Sequence, residues 1–138
     1  MKSNKTNQWS LTILRITLAC IFISHGYSKL FAAGGFKGTT DFFKMIQIPF
    51  PAYSALLVGV VEFAAGLFLL IGLLTRWSSI ALIIDMLVAL FKVHLKNGFS
   101  GKGGYEFVLL ILACLFVILM SGSGKLSFGN MFKNKNLH

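Results

Sequence analysis

Ionisable side chains interrupt otherwise apolar stretches of this sequence at positions where proton chemistry is possible. In the segment CIFISHGYSKLF, His25 and Lys29 stand four residues apart, which places them on one face of a helix. Glu62 lies near the middle of a second apolar stretch. An imidazole can exchange a proton near neutral pH, and a buried carboxyl group can hold one. We therefore predict that Glu62 and His25 are catalytic residues.

Further acids and bases extend this set toward one side of the apolar stretches. With a rise of about 1.5 Å per residue, Lys29 and Glu106 fall on the side opposite the chain termini, and Asp85 falls near mid-depth. Polar groups at the end of an apolar cleft suit a ligand with a polar head. We predict a ligand-binding pocket lined by the following residues: His25, Lys29, Glu62, Glu106 and Asp85. A closed ion-pair network without a cavity is the alternative.

Arg15 shares a helical stripe with His25 and Lys29, because it lies 10 and 14 residues before them, close to whole numbers of turns. A charged group near the centre of a membrane helix costs at least about 2.5 kcal/mol, so it normally faces the interior of the bundle and pairs. We predict a structural ion pair between Arg15 and Asp85, with Glu62 as the second choice of partner.

The elements that carry these residues are membrane helices. The chain has 138 residues, of which 56% are hydrophobic and 12% charged, about half the charge of a typical soluble domain. Four stretches approach the length that spans a bilayer: about 11–31, 53–74, 77–95 and 105–120. The very short TRW link makes the second and third an antiparallel hairpin. The predicted fold is all-α, an integral membrane four-helix bundle forming a single domain over residues 1–138.

The connection GGFKGTTDFFKMIQIPFP predicts a short interfacial helix between the first and second spans. Thr40 or Asp41 can cap it, and Phe42, Met45 and Ile46 fall on one side of it. Such an amphipathic helix suits the surface of the bilayer.

The net charge of +9 comes mainly from lysines in the connections and at the ends, which is typical of residues beside anionic headgroups. No basic segment is long enough to read nucleic acid, so the expected partner is the lipid bilayer. We predict a multi-pass protein of the cell membrane with both termini in the cytoplasm, although the basic residues divide almost evenly between the two sides.

Three segments resemble the signature blocks of DoxX-like membrane proteins: RITLACIFISHGYSKLF, VGVVEFAAGLFLLIGLLTRW and KNGFSGKGGYEFVLLILACL. The resemblance covers about residues 11–129. It implies a four-helix integral membrane fold and a connection to redox complexes, while the broader group also includes non-enzymatic members. The matching positions are Arg15, His25, Gly26, Lys29, Glu62, Gly66, Gly72, Arg76 and Glu106.

The residues and the resemblance together favour a quinone- or thiol-linked redox component, an oxidoreductase or a subunit of one, with quinone as the expected cofactor. His25 and Lys29 could donate hydrogen bonds to quinone carbonyls, and Glu62 could supply protons. No metal-ligand or nucleotide motif is present in the sequence, so electrons would come from partner membrane or redox proteins or from thiols. Whether the chain is itself catalytic stays open.

The sequence leaves three alternatives open. The first is a non-enzymatic membrane scaffold that recruits other proteins. The second is a small proton-coupled transporter, for which four spans enclose little space unless the chain forms a homo-oligomer. The third is a haem bundle with His25 and His94 as axial ligands, although His94 falls on the face opposite Asp85 and Lys92 if the third helix stays regular.

Overall fold

The computed structural model describes residues 5–129 and residue 131, and this part of the chain contains helices and no strands. Three helical segments are long and apolar enough to cross a membrane, and a fourth apolar helix is shorter. The predicted all-α membrane bundle is therefore confirmed. The helices are α1 (Lys5–Leu30), α2 (Gly35–Met45), α3 (Pro51–Ile71), α4 (Thr75–Ala89) and α5 (Glu106–Ser121). The outermost ends of the chain, whose cytoplasmic location was predicted, lie outside the described residues.

Helices α1 and α3 pack closely because glycines remove side chains from their interface. A Cβ atom on Gly26 would overlap the backbone nitrogen of Phe63, and one on Gly66 would lie 2.9 Å from the backbone nitrogen of Ile23. Small residues are the usual means by which membrane helices approach each other. Gly59, on the same helix as Glu62, also serves this packing, because a Cβ atom there would lie 2.7 Å from the Leu30 side chain.

The buried core lies between α1, α3, α4 and α5. It is made of aliphatic side chains and one phenylalanine: Leu18, Ala19, Phe22, Ala65, Leu69, Leu82, Ile83, Val108, Ile111, Leu112, Leu115 and Ile118. In lipid, such contacts stabilise the bundle mainly through dispersion, because lipid tails are as apolar as leucine.

The turn between α3 and α4 comes earlier than the sequence predicts. Gly72 ends α3 in the left-handed conformation with φ of 72°, which glycine adopts at little cost. Residues 75–77, which form the predicted link, already belong to α4. The two helices nevertheless form the expected tight hairpin.

Helix α2 exists as predicted, but it begins before Thr40 and Asp41. Gly34 precedes its first turn in the left-handed conformation, without a side-chain cap. Its C-terminal end is followed by Gln47 and Phe50, both with positive φ. The helix packs against α1 and α3. Its placement at the bilayer surface stays a prediction.

Candidate functional site

A cavity of about 790 Å³ occupies the end of the bundle away from the termini. Its walls come from the second half of α1, from α2, from the first half of α3, from the second half of α4 and the turn after it, and from the start of α5. Most of the lining is apolar; helix α2 contributes Phe42 and Phe43, and Ile46 follows directly after it. The ionisable residues of the lining are His25, Lys29, Glu62, Asp85, Lys92 and His94. We name the cluster of Lys29, Glu62 and Asp85 the polar end of the cavity.

The centre of the polar end is an ion pair between α1 and α3. The Nζ atom of Lys29 donates a hydrogen bond to Oε2 of Glu62 at 2.5 Å. The Glu62 side chain is 4% exposed and that of Lys29 is 21% exposed. A charge-assisted hydrogen bond between groups that are this little exposed is strong, so the ammonium and the carboxylate form a stable pair. The sequence predicted both residues for the pocket but did not predict that they pair with each other.

Asp85 completes the polar end from α4. Its carboxyl group lies beside that of Glu62, with Lys29 as the next charged neighbour. Its Oδ2 atom is buried and, among the described residues, has no hydrogen-bond partner. With His25, which also lines the cavity, four of the five predicted ligand-binding residues lie around it, and Glu106 does not.

The predicted ion pair between Arg15 and Asp85 is wrong. Arg15 is 1% exposed, and its guanidinium donates hydrogen bonds of 2.5 Å to the carbonyl oxygens of Ser123 and Leu126. The segment after α5 folds back over the terminal end of the bundle and supplies these carbonyls. Two backbone oxygens thus take the place of a carboxylate at the terminal nitrogens of the guanidinium, while Nε is buried and has no partner among the described residues. Gly72 makes room, because a Cβ atom there would overlap the Arg15 side chain.

His25 also lines the cavity, on an exposed part of its wall. Among the described residues, the His25 ring has no hydrogen-bond or ion-pair partner. It can therefore turn toward a ligand. His25 and Lys29 share a face of α1 as the four-residue spacing predicts.

Lys92 and His94 both line the cavity, although a regular helix would place them on opposite faces. Residues Leu90–His94 form a π-helical turn, which widens the helix and changes the direction of the side chains that follow. The Nδ1 atom of His94 lies 2.9 Å from the carbonyl oxygen of Gly103, which fixes the ring against the loop before α5. No pattern in the sequence marks this turn.

Glu106 is not part of the site. It begins α5, is exposed and does not line the cavity. Its carboxylate instead stands in the first turn, where it interacts favourably with the helix dipole. Neither cysteine lines the cavity: Cys20 is exposed on α1 and Cys114 lies partly buried on α5, both as free thiols.

The outer face of α2 is charged. Asp41 contacts Lys37 at 3.0 Å and Lys44 at 3.5 Å. The hydrogen bond and the charge of Lys37, together with the weaker contribution of Lys44, hold the pKa of Asp41 below its ordinary value. These exposed groups point away from the cavity, so α2 presents its apolar side to the cavity and its charges outward.

The arrangement can bind a ligand that has a hydrogen-bonding head and an apolar remainder. The polar end offers the Asp85 carboxyl group next to the ion pair of Lys29 and Glu62, and α2 contributes apolar side chains to the wall. Among the described residues, no three His, Cys, Asp or Glu side chains lie close enough together to hold a metal ion. The contribution of α2 to the wall was not predicted, although Phe42 and Ile46, which fall on one side of the predicted helix, could have indicated it.

Comparison with known proteins agrees with this architecture. The sequence profile of the DoxX family matches residues 10–95. A protein of Bacillus subtilis strain 168, named "Putative oxidoreductase CatD", is 30% identical over 108 residues, covering 78% of this chain and 77% of that protein.

Two further relatives carry membrane-protein names. An uncharacterized membrane protein of Mycobacterium tuberculosis is 32% identical over 129 residues, covering 86% of this chain and 78% of that protein. The inner membrane protein YqjF of Escherichia coli K12 is 26% identical over 133 residues, covering 95% and 98%. No solved structure matches the chain. Since the profile covers more than half of the sequence and these relatives align over most of both lengths, the chain is a membrane protein of the DoxX family.

Proposed function

We propose that this protein is a membrane redox component that binds a quinone in the cavity, with the ring at the polar end and the tail along the apolar wall. The observation that carries the proposal is the cavity itself: a volume of about 790 Å³ with a mainly apolar lining ends at buried Glu62 and half-buried Lys29 and Asp85. That volume falls within the range of roughly 300–1,000 Å³ that is usual for small-molecule sites.

A quinone fits the chemistry of this lining. Its carbonyl oxygens need hydrogen-bond donors, and its ring and tail need apolar surfaces. His25 can donate from α1, while Phe42 and Phe43 on α2 can cover a flat ring. When bound, a quinone would supply two-electron redox chemistry, and the chain would hold the ring and manage protons around it.

The thiol-linked version of the redox hypothesis has less support than the quinone version. Cys20 and Cys114 lie outside the cavity lining, so neither thiol can meet a ligand at the polar end. The name of the Bacillus subtilis relative includes the word oxidoreductase, which supports a redox role in general without naming a substrate.

Gly38 offers a direct test, because it lines the cavity from α2 and a Cβ atom built there meets nothing within 4 Å. A phenyl group at this position would enter the cavity without disturbing the polar end or the α1–α3 interface. Gly38→Ala is the matched control, because it adds one methyl group and improves helix propensity by about 1 kcal/mol.

The experiment measures quinones that co-purify with each variant in mild detergent, by mass spectrometry of extracted lipids per mole of protein. We expect wild type and Gly38→Ala to retain quinone and Gly38→Phe to retain at least about tenfold less. Equal quinone content in all three proteins, or none in wild type, would refute the proposal. Normal folding of every variant with no quinone in wild type would favour the scaffold alternative.

A further inference from the structure

The fold fixes which ring nitrogen of His94 can accept a hydrogen bond from a ligand in the cavity. We propose that Nε2 of His94 accepts a hydrogen bond from a hydroxyl group of the ligand, so that the cavity binds the reduced, hydroquinone form of a quinone more tightly than the oxidised form. This inference rests on the proposed function, because it names the redox form of the ligand that the same site prefers.

The first argument is the tautomer of the His94 ring. Its Nδ1 atom lies 2.9 Å from the carbonyl oxygen of Gly103. A carbonyl oxygen accepts hydrogen bonds and has no proton to give, so Nδ1 carries the proton. In a neutral imidazole the other nitrogen, Nε2, then holds a lone pair. His94 lines the cavity and Gly103 does not, so Nε2, which is not bonded to the loop, is the nitrogen left for a ligand.

The second argument is that the loop before α5 holds the Gly103 carbonyl in place. The side-chain amide of Asn97 donates a second hydrogen bond to the same oxygen at 2.9 Å. Gly103 has a φ of 80°, a conformation that glycine adopts at little cost. A Cβ atom there would lie 3.0 Å from the Asn97 amide nitrogen. Because the carbonyl is held from both side chains, the tautomer of His94 stays constant.

The third argument is the π-helical turn that carries His94 to the cavity. A regular α-helix would place Lys92 and His94 on opposite faces, but the turn Leu90–His94 brings both residues to the lining. Single π-helical turns inside helices are rare and are frequent at functional sites. This one places the half-buried His94 ring beside a cavity that a ligand can enter.

The other polar groups of the lining select less between the two redox forms. The carboxyl groups of Glu62 and Asp85 interact with each other, and Glu62 also accepts from Lys29. The His25 ring, without a partner among the described residues, can present either a donor or an acceptor. A quinone carbonyl at Nε2 of His94 would instead bring two acceptors together and leave both unpaired, whereas a hydroquinone hydroxyl would donate.

Two substitutions separate the two ring nitrogens of His94. In His94→Asn the amide nitrogen falls near the position of Nδ1, so the bond to Gly103 can persist while the acceptor at Nε2 is lost. His94→Gln instead reaches the position of Nε2 with an amide oxygen. Asn97→Ala is the control, because it removes the other hydrogen bond to Gly103 from a residue outside the cavity lining.

Equilibrium dialysis of each protein in lipid nanodiscs measures the affinity for a short-chain ubiquinone analogue at pH 8, where neutral imidazole predominates in water. The analogue is used in its oxidised form and, under anaerobic conditions with dithionite, in its reduced form. Wild type should bind the reduced form at least about tenfold more tightly, which raises the two-electron potential of the bound analogue by about 30 mV. His94→Asn should bind the two forms with affinities within about twofold, and Asn97→Ala should keep the preference.

Equal affinity of wild type for the two forms would overturn the inference, and so would an unchanged preference in His94→Asn. Loss of the preference in Asn97→Ala would assign it to the shape of the loop and refute the role of Nε2. If circular dichroism shows that His94→Asn does not fold, His94→Gln decides the question. The inference requires His94→Gln to prefer the reduced form, and equal affinity for both forms would refute it.

These outcomes separate the two proposals. If wild type binds neither form and Gly38→Phe behaves identically, the proposed function fails. If both forms bind equally and Gly38→Phe displaces both, the function stands and the assignment of His94 fails.

Discussion

Replacing Lys29 by leucine removes the ammonium that bonds to buried Glu62, and the resulting loss of stability can be worked out from the geometry. The Glu62 side chain is 4% exposed, so without Lys29 its carboxyl group must take up a proton to stay buried. A glutamate in water ionises with a pKa of about 4.3, and each pH unit above this corresponds to about 1.36 kcal/mol. At pH 7 the expected cost is therefore about 3–5 kcal/mol, the range known for broken buried pairs.

The same reasoning predicts how the loss depends on pH. At pH 5 the proton is much easier to bind, and the cost falls to about 1 kcal/mol. The sign follows because the folded Lys29→Leu variant binds a proton that its unfolded chain does not hold at pH 7. Reversible unfolding in mixed detergent micelles, followed by circular dichroism at both pH values, measures the difference.

Two variants make this measurement specific. Glu62→Gln in the Lys29→Leu background removes the need for a proton, so most of the loss at pH 7 should be recovered and the pH dependence should disappear. Lys44→Leu is the matched control, because this lysine is 63% exposed and pairs with exposed Asp41; its loss should stay below about 1 kcal/mol. A loss for Lys29→Leu no larger than that of Lys44→Leu, or one that does not change with pH, would show that the pair contributes little.

Two further predictions concern the scaffold around the cavity. Arg15→Ala removes two charge-assisted hydrogen bonds to the segment after α5, so the free energy of unfolding should fall by about 3–5 kcal/mol. Proteolysis between residues 122 and 129 should increase. Arg15→Lys should give an intermediate result, because an ammonium group lacks the planar fork of a guanidinium. Gly66→Leu should lower the free energy of unfolding by at least about 1–3 kcal/mol, because its Cβ atom would lie 2.9 Å from the backbone nitrogen of Ile23. Gly38→Ala is the control at an open position and should not lower it. Equal loss of stability in the two variants would contradict this prediction.

The sequence was sufficient to predict the helices and part of the site. Apolar stretches long enough to cross a bilayer predict the membrane helices. The four-residue spacing by itself places His25 and Lys29 on one face of α1. The pairing of side chains between helices was harder, because it depends on rotation and on close approaches such as that at Gly26. The π-helical turn at Leu90–His94 has no pattern of its own, so the position of His94 could not be predicted.

The error about Arg15 has a consequence for the charge of the cavity. A count of charges in the sequence pairs each buried acid with a buried base, and by that count Asp85 belongs to Arg15. The folded chain instead satisfies Arg15 with two backbone carbonyls at the terminal end of the bundle. This leaves Lys29 as the cation for both Glu62 and Asp85 at the other end. The carbonyls that bind Arg15 thus leave one ammonium group beside two carboxyl groups, and both of these acids line the cavity.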